Sequence, residues 1–349
     1  MSVLKQVLGV DVAQKELVVC LGRLNGDLTK EFYSYRVFRN KETGFVALLK
    51  WLKKETDEDV ILQVVMEATG VYHQRFAFFL NQNGIDLSIV LPNKISNFIR
   101  TLETKTITDK TCSEAIAQFG LERKLDNWKK PNQLYKTLQQ LTRERDQIVS
   151  ERVVIKNQLH AENSEYMPNM NSIKRLEVRL QLMNQQEKEI KNDIQKCIDT
   201  DDKVKKTIKN LTTIPGVGEL TAVTILAETN GFELIRNKKQ LTSYAGFDVK
   251  EKQSGTSVKG KPKISKRGNK HLRSCMHLPS LSAVKYIEVY NDLYTRIVSK
   301  NGIKMKALIA VQRKMLELVY ILYKNNTVFE QDYESKKRVL LLGEDTLTS

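Results

Sequence analysis

The chain has 349 residues, and its 57 Lys and Arg against 41 Asp and Glu give a formal net charge of +16 at pH 7. An apolar fraction of 41% with only 16 Gly and 6 Pro excludes a disordered or collagen-like chain, and no apolar run approaches the roughly 20 residues of a membrane helix. We therefore expect two or three domains, no membrane contact or secretory signal, a cytoplasmic location and a polyanionic partner such as nucleic acid.

The first 120 residues alternate between strand-like and helix-like segments. The runs VLGVDV, ELVVCLGRL, VILQVVMEATG and IDLSIVL predict strands, and helices are expected over 72–83 and 109–121. This pattern predicts an α/β domain over residues 1–128, with a mixed sheet flanked by helices.

Residues 129–203 form a different section, rich in Leu, Gln, Glu, Lys and Arg. Leu134, Leu141, Ile148 and Ile155 recur every seven residues, which indicates a coiled coil, although Arg145 and Arg152 interrupt its seam. A second apolar series, comprising Leu176, Leu180, Met183, Ile190 and Ile194, follows a break at 167–169. We predict an antiparallel helical hairpin, which is either an oligomerisation arm or a spacer within one chain.

The third section, residues 204–328, is expected to be mainly helical, and a polar tail follows over 329–349. It opens with LTTIPGVGELTAVTILAE, whose PGVG turn resembles that of a helix-hairpin-helix unit. Gly216 and Gly218 would let backbone N–H groups approach a DNA phosphate. An ordinary helix connection is the alternative.

Three acidic residues stand where strands end or a helix begins. Asp11 and Glu67 close apolar strands, and Asp109 opens a helical segment. Because a buried, unpaired carboxylate is costly, a divalent cation, Mg²⁺ or Mn²⁺, is the expected partner. Taken singly, Asp109 could be a helix N-cap, and Glu67 could pair with a lysine.

Between residues 250 and 273 there are nine Lys and Arg against one Glu. Such a stretch is often a solvated loop, yet its glycines and Ser254 would permit close approach to a phosphate. Ser254 is a candidate nucleophile, since nearby cations would stabilise its oxyanion. The candidate nucleic-acid contacts in this stretch are Lys259, Lys261, Lys263, Lys266, Arg267 and Arg273.

Other site classes find no support in the sequence. The four cysteines form no CxxC pair, which argues against a disulfide framework or a zinc knuckle. The histidines lack HExxH spacing, and the glycines form neither GxGxxG nor GxxxxGK[ST], so no organic cofactor is expected. An actin-like phosphotransferase would also need glycine-rich phosphate loops.

Five motifs together resemble one known family. GVDVAQKEL, MEATGVYH and TDKTCSEAIAQFGLERK precede TIPGVGELTAVTILAE and the pair SYAGFDVKEKQSG and ISKRGNKHLR. In this order they resemble insertion-sequence transposases that have an N-terminal RuvC-like DEDD domain and a C-terminal serine-bearing domain, related to the Piv DNA invertase. The resemblance implies an RNase H/RuvC-like fold for the first domain.

The resemblance also implies a mechanism. Asp11, Glu67 and Asp109 would bind metal, and Ser254 would attack the phosphodiester to form a covalent serine–DNA linkage. A structured noncoding RNA would pair with double-stranded donor and target DNA. The assembly would be a tetramer of two dimers, with each composite site built across two protomers.

One position departs from the family pattern. A second aspartate usually follows the third acid by three residues, and here that position is Cys112. A thiol is a poor ligand for Mg²⁺, and Glu114 would point about 140° away on a regular helix. Ser257 is the fallback nucleophile, because loop alignments slip by a few residues.

Two alternatives stay open on the sequence alone. A RuvC-like nuclease or junction resolvase would use metal-activated water, and Ser254 would then contact only phosphate. A non-catalytic nucleic-acid scaffold would use the PGVG turn and the basic stretch, and it would not need Asp11.

Overall fold

The computed structural model describes residues 2–68, 70–102, 106–233, 235–251, 253–254, 258–259 and 263–331, the pairs 253–254 and 258–259 as backbone only. The chain forms two compact units, residues 1–130 and 131–349. Within the described ranges, no helix has both the length and the apolarity needed to cross a membrane. The predicted boundaries near residues 128, 203 and 328 remain predictions.

A five-stranded mixed sheet forms the centre of the first unit, in the order β3-β2-β1-β4-β5. Strand β2 is antiparallel to β1 and β3, whereas β4 is parallel to both β1 and β5. The strands are β1 Val3–Val12, β2 Glu16–Asn25, β3 Lys30–Arg39, β4 Leu62–Glu67 and β5 Leu87–Val90.

Helices cover both faces of this sheet: α1 Glu42–Glu55, α2 Gln74–Gln82, α3 Pro92–Ile99 and α4 Asp109–Glu122. Side chains alternate between the faces of a strand, which creates two apolar cores. Leu8 and Val64 pack with α1 and α2 on one face. Val7 and Val65 pack with α3 and α4 on the other. The second face carries the candidate site.

Helix α4 lies directly on strand β1 because two glycines remove side chains from the contact. A Cβ on Gly9 would lie 2.2 Å from the Ser113 carbonyl oxygen, and one on Gly120 would lie 2.7 Å from a Val7 methyl carbon. Both distances are shorter than van der Waals contact. The close packing fixes where the first turn of α4 stands relative to the end of β1.

The second unit begins with two long helices, α5 Gln133–Asn163 and α6 Met170–Asp199, which pack against each other. Asn132 and Asn169 cap them with side-chain hydrogen bonds. The two arginines that interrupt the predicted apolar seam, Arg145 and Arg152 on α5, both form ion pairs with the buried Glu187 on α6. Burial alone would raise the pKa of Glu187, but its hydrogen bonds and these cations lower that pKa to about 2.

The remaining helices surround a core built on α8 and α13. They are α7 Asp202–Leu211, α8 Glu219–Glu228, α9 Lys238–Tyr244, α10 Lys270–Cys275, α11 His277–Tyr286, α12 Glu288–Asn301 and α13 Lys304–Asn325. Between α9 and α10 lie four two-residue strands: β6 Val249–Lys250, β7 Gln253–Ser254, β8 Val258–Lys259 and β9 Lys263–Ile264. The first unit is α/β and the second is mainly helical, which confirms these two parts of the predicted fold class.

Candidate functional site

Asp11 and Glu67 stand side by side at the ends of two parallel strands. The register of β1 and β4 pairs Val10 with Met66, immediately before both acids. Asp11 shares the sheet face of Val7, and Glu67 shares that of Val65, because side chains two residues apart point the same way. Both are half-buried on the face covered by α4.

Asp109 reaches the same region from the first turn of α4. The capping residue of this helix is Thr108, which forms a capping box with Thr111. The N-cap alternative for Asp109 was therefore wrong. Asp109 is exposed and half-buried Cys112 lies three residues later, on the same side of the helix.

These four side chains influence one another electrostatically; we call Asp11, Glu67, Asp109 and Cys112 the acid cluster. Burial, followed by the negative charges of Asp109 and Glu67, raises the pKa of Asp11 to about 6. Burial and the same three carboxylates raise the pKa of the Cys112 thiol. The thiol is therefore neutral at physiological pH.

Glu114 does not replace the missing fourth acid. Helix α4 is regular from Asp109 to Glu122. The charge of Glu114 interacts with the thiol of Cys20 on strand β2. Burial first, and then the charge of Glu114, raises the pKa of the Cys20 thiol to about 12, and Lys110 opposes this shift. Glu114 thus faces the β2 side of the helix.

A divalent cation suits the donors of the acid cluster. The three carboxylates supply the oxygen ligands that Mg²⁺ and Mn²⁺ take. A cation would also offset the two contributions that raise the pKa of Asp11, which are burial first and then repulsion by Asp109 and Glu67. Among the described residues, however, no three acidic, His or Cys side chains are placed so that they could hold a metal ion. Exposed Asp109 would have to turn inward to complete a site.

Ser254 lies in the second unit, in the inner of two short strand ladders. We call these two ladders, β6 with β9 and β7 with β8, the serine hairpin. Val249 and Lys250 pair with Ile264 and Lys263, and further in, Ser254 pairs with Val258. Residues 255–257, which include the fallback nucleophile Ser257, lie outside the described residues. Ser254 is thus the last described residue of β7.

The base of the serine hairpin is joined by hydrogen bonds between the two motifs that flank it. The Asn269 N–H donates to the Tyr244 carbonyl at 2.7 Å, and the Lys266 N–H donates to that of Gly246 at 3.1 Å. The Ser265 hydroxyl donates to the Asp248 carboxylate at 2.7 Å. SYAGFDV and ISKRGNKHLR therefore form one structural element.

A buried carboxylate that sequence reasoning missed holds this element to α5. The side chain of Glu228 is fully buried, and Arg143 of α5 donates to its two oxygens at 2.7 and 2.8 Å. Asn269 donates to it at 2.5 Å and also caps α10. Burial alone would raise the pKa of Glu228, but these hydrogen bonds lower it. The only sequence signal was an acid ending the apolar helix ELTAVTILAE.

The predicted nucleic-acid contacts in the serine hairpin region differ in their surroundings. Lys263, Lys266 and Arg267 are exposed. Arg273 instead donates to the carbonyls of Ala245 and Asn269, so it supports the hairpin base. Lys259 is described as backbone only, and Lys261 lies outside the described residues.

The two glycines of the PGVG turn also differ. Gly216 has φ +90°, and an added Cβ would lie 2.6 Å from the Ser282 Cβ of α11, so this glycine serves packing within the protein. Gly218 caps α8 with nothing within 4 Å of its Cβ position. Phosphate binding at this turn remains a prediction.

Comparison with known families gives two matches. A model of DEDD transposases of the IS110 type matches residues 8–168, and a model described as the IS116/IS110/IS902 transposase family matches residues 208–295. Together they cover more than half of the chain. The chain belongs to the IS110 transposase family. It is therefore a DNA transposase or recombinase, and its first unit has the RuvC-like, RNase H-like fold.

Relatives of this IS110-family transposase include two kinds of DNA-rearranging protein. The pilin gene-inverting protein of Moraxella lacunata is 24% identical over 94% of this chain and 98% of its own length. The transposase for insertion sequence element IS1111A of Coxiella burnetii is 24% identical over 87% of this chain and 83% of its own. The structure of T. thermophilus RuvC in complex with a Holliday junction substrate aligns with 35% of this chain and 99% of that one, at 11% identity and a TM-score of 0.27.

Proposed function

We propose that this transposase cuts and rejoins DNA through a covalent link between Ser254 and the DNA backbone. The acids Asp11, Glu67 and Asp109 would hold a divalent metal, Mg²⁺ or Mn²⁺. The observation that carries the proposal is the acid cluster, in which residues from two strands and one helix lie close enough that burial, followed by the charges of Asp109 and Glu67, raises the pKa of Asp11 to about 6. A metal bound there would neutralise charge on the phosphate.

In the proposed step the Ser254 hydroxyl oxygen forms a bond to phosphorus, and one P–O bond of the DNA backbone breaks. The serine proton ends on the departing DNA oxygen, which becomes a hydroxyl. Attack by a hydroxyl of a second DNA end reverses the step and rejoins the strands. The exposed cations Lys263, Lys266 and Arg267 support this role, because Lys263 belongs to the serine hairpin and the other two follow strand β9 within three residues.

The proposed partners are double-stranded donor and target DNA and a structured noncoding RNA that selects both by base pairing. The net charge of +16 supports polyanionic partners. We further propose that the enzyme acts in the bacterial cytoplasm as a tetramer of two dimers, in which the acid cluster of one protomer works with Ser254 of another.

The α5–α6 hairpin is proposed as the oligomerisation arm. Five large apolar side chains on its helices are 51–63% exposed, where a spacer within one chain would carry polar residues: Val153, Val154, Met170, Val178 and Leu182. Tyr166 and Met167 between the two helices are also exposed, at 97% and 83%.

A denaturing-gel assay for a covalent protein–DNA adduct tests the proposal. Wild type, Ser254→Ala and the matched Ser257→Ala are incubated with Mg²⁺ or Mn²⁺, DNA that carries the element ends, and the RNA that co-purifies from cells with the element's flanks. We expect an adduct with wild type and Ser257→Ala, none with Ser254→Ala, and none after ribonuclease treatment.

Other outcomes assign the chemistry differently. An adduct that persists in Ser254→Ala but not in Ser257→Ala moves the nucleophile to Ser257. Metal-dependent cleavage without any adduct supports the RuvC-like nuclease, with water as the attacking group. An adduct that survives ribonuclease treatment contradicts guidance by RNA but leaves the serine chemistry in place.

A further inference from the structure

We infer that the first unit carries a second nucleic-acid surface, separate from the acid cluster, that binds the phosphodiester backbone. It is the groove between α3 and the end of α4, with Lys94 on one side and Arg123 and Lys124 on the other; we call it the α3–α4 groove. The inference rests on one part of the proposed function, that the chain binds nucleic acid. It does not depend on which residue attacks the phosphodiester.

The groove has a volume of about 520 Å³ and an apolar floor. Phe98 and Phe119 form this floor and stack edge to face, with ring centroids 5.2 Å apart. Lys94 and Asn97 stand three residues apart on α3 and therefore line the same wall. Both are exposed, and both are hydrogen-bond donors that a phosphate oxygen can accept from.

The side chains that line the groove carry positive charge and no negative charge. None of its lining residues is acidic, and within the described part of the chain no ion pair involves Lys94, Arg123 or Lys124. Glu122, next to Arg123 in sequence, is hydrogen-bonded to Lys30 and Gln118, and its charge also interacts with that of Arg123. A second groove of the same unit, about 390 Å³, differs because it contains Asp59 and Asp86 beside Lys5.

The arrangement fits a chain-like polyanion better than a small compact ligand. The cations come from two helices, and their side chains are exposed rather than enclosed. Arg123 lies over the Phe119 ring, 5.9 Å from its centroid, which holds the guanidinium at the groove wall. A backbone with one charge per nucleotide can engage both walls in turn.

The α3–α4 groove is distinct from the acid cluster. Asp109 begins α4 and Arg123 follows its last residue, so about 21 Å of helix separates them at 1.5 Å per residue. A duplex running along α4 from the acid cluster would pass the groove after about six base pairs. A partner seated in the groove therefore extends well beyond the reacting phosphate.

The test compares two triple variants of the full-length protein. The first variant, Lys94→Gln/Arg123→Gln/Lys124→Gln, removes all three positive charges that line the groove. The control, Lys50→Gln/Lys53→Gln/Lys54→Gln, removes the same charge from α1, which packs on the opposite face of the sheet. Affinities of RNA-free protein for labelled duplex DNA and for an RNA hairpin are measured by fluorescence anisotropy between about 50 and 400 mM salt.

We expect the groove variant to bind at least one probe roughly tenfold more weakly near physiological salt, and to lower the slope of log K against log salt by about 2 to 3. Loss with DNA alone assigns the groove to DNA, and loss with RNA alone assigns it to RNA. If both probes bind the groove variant and the control equally, the inference is wrong. The result does not depend on adduct formation, so it can be repeated in the Ser254→Ala background.

All three groove cations are exposed, so the variant is expected to fold, which a thermal melt followed by circular dichroism checks. If the triple variant is unstable, Lys124→Glu alone is measured against Lys54→Glu. The same preferential loss is expected, and equal binding by these two variants likewise contradicts the inference.

Discussion

Asp11 is an ionisable residue held where its charged form is disfavoured. Burial and the neighbouring acids raise its pKa from 3.8 to about 6, so in metal-free protein the folded state binds its proton more tightly than the unfolded chain does. The resulting stabilisation is present below about pH 4 and is lost as the pH rises through about 6.

Asp11→Asn should therefore stabilise the metal-free protein above pH 6 but not at pH 4. We expect the free energy of unfolding to rise by on the order of 1 kcal/mol at pH 7.5, a small value because solvent screens a half-exposed carboxylate. Denaturant unfolding of the variant, wild type and the exposed control Asp59→Asn, all in chelator, measures this. Parallel pH profiles for Asp11→Asn and wild type would show that folding does not raise the pKa of Asp11.

Cys112 occupies the position where a fourth acid would complete the cluster. Replacing a neutral thiol by a carboxylate adds an oxygen ligand and negative charge, so Cys112→Asp should tighten Mn²⁺ binding severalfold and leave adduct formation intact or increase it. Calorimetric titration with Mn²⁺ and the adduct gel measure both effects, and Cys112→Ser is the control of similar size. A large loss of adduct in Cys112→Asp alone would place this residue outside the metal site.

The acid cluster could be predicted because each of its acids ends a strand or begins a helix, positions that are visible in sequence. Glu228 could not be predicted. Its partner Arg143 lies 85 residues earlier in the chain, and no local pattern indicates such a pairing. The role of Arg273 could not be predicted either, because one of the carbonyls to which it donates belongs to Ala245, 28 residues earlier in the chain.

At the scale of elements, Glu228 joins α5, α8 and α10, so its loss should loosen the base of the serine hairpin. Glu228→Gln leaves Arg143 without its charge partner, and we expect a loss of about 2 to 4 kcal/mol in the free energy of unfolding. The exposed Glu189→Gln should cost less than about 0.5 kcal/mol. Urea unfolding measures both, and equal stability of the two variants would contradict the proposed support.

The predicted elements matched the structure where periodicity was strong. The helix expected over 72–83 forms as α2 and that over 109–121 forms as α4. Strand β3, at the sheet edge, went unpredicted because most of its residues are at least partly exposed and alternate weakly. The two-residue ladders of the serine hairpin are too short for any period to appear.

At the scale of the whole molecule, the excess positive charge predicts binding that weakens steeply with salt. Replacing Lys261, Lys263 and Arg267 by Gln should lower the slope of log K against log salt for DNA by about 2 to 3. The same anisotropy titration measures it, with the α1 triple variant as the control. An unchanged slope would remove this stretch from the binding surface.

The proposed tetramer makes a separate prediction about mass. Val178→Glu/Leu182→Glu places charges on the exposed apolar side of α6 and should reduce the tetramer to dimers or monomers without unfolding the chain, since neither side chain is buried. Light scattering after size exclusion measures this, with Lys188→Glu as the exposed control on the same helix. A variant that keeps the wild-type mass would favour the spacer interpretation of the hairpin.

Both tryptophans of the chain lie in the first unit. Trp51 packs in the α1 side of the sheet core, and Trp128 meets Phe78 edge to face and donates its backbone N–H to Leu87. Excitation at the red edge of the indole band selects Trp over Tyr and Phe. The resulting intrinsic fluorescence therefore comes from the first unit alone. It should report metal binding and local melting there with no contribution from the serine-bearing unit, whose aromatic residues are Tyr and Phe.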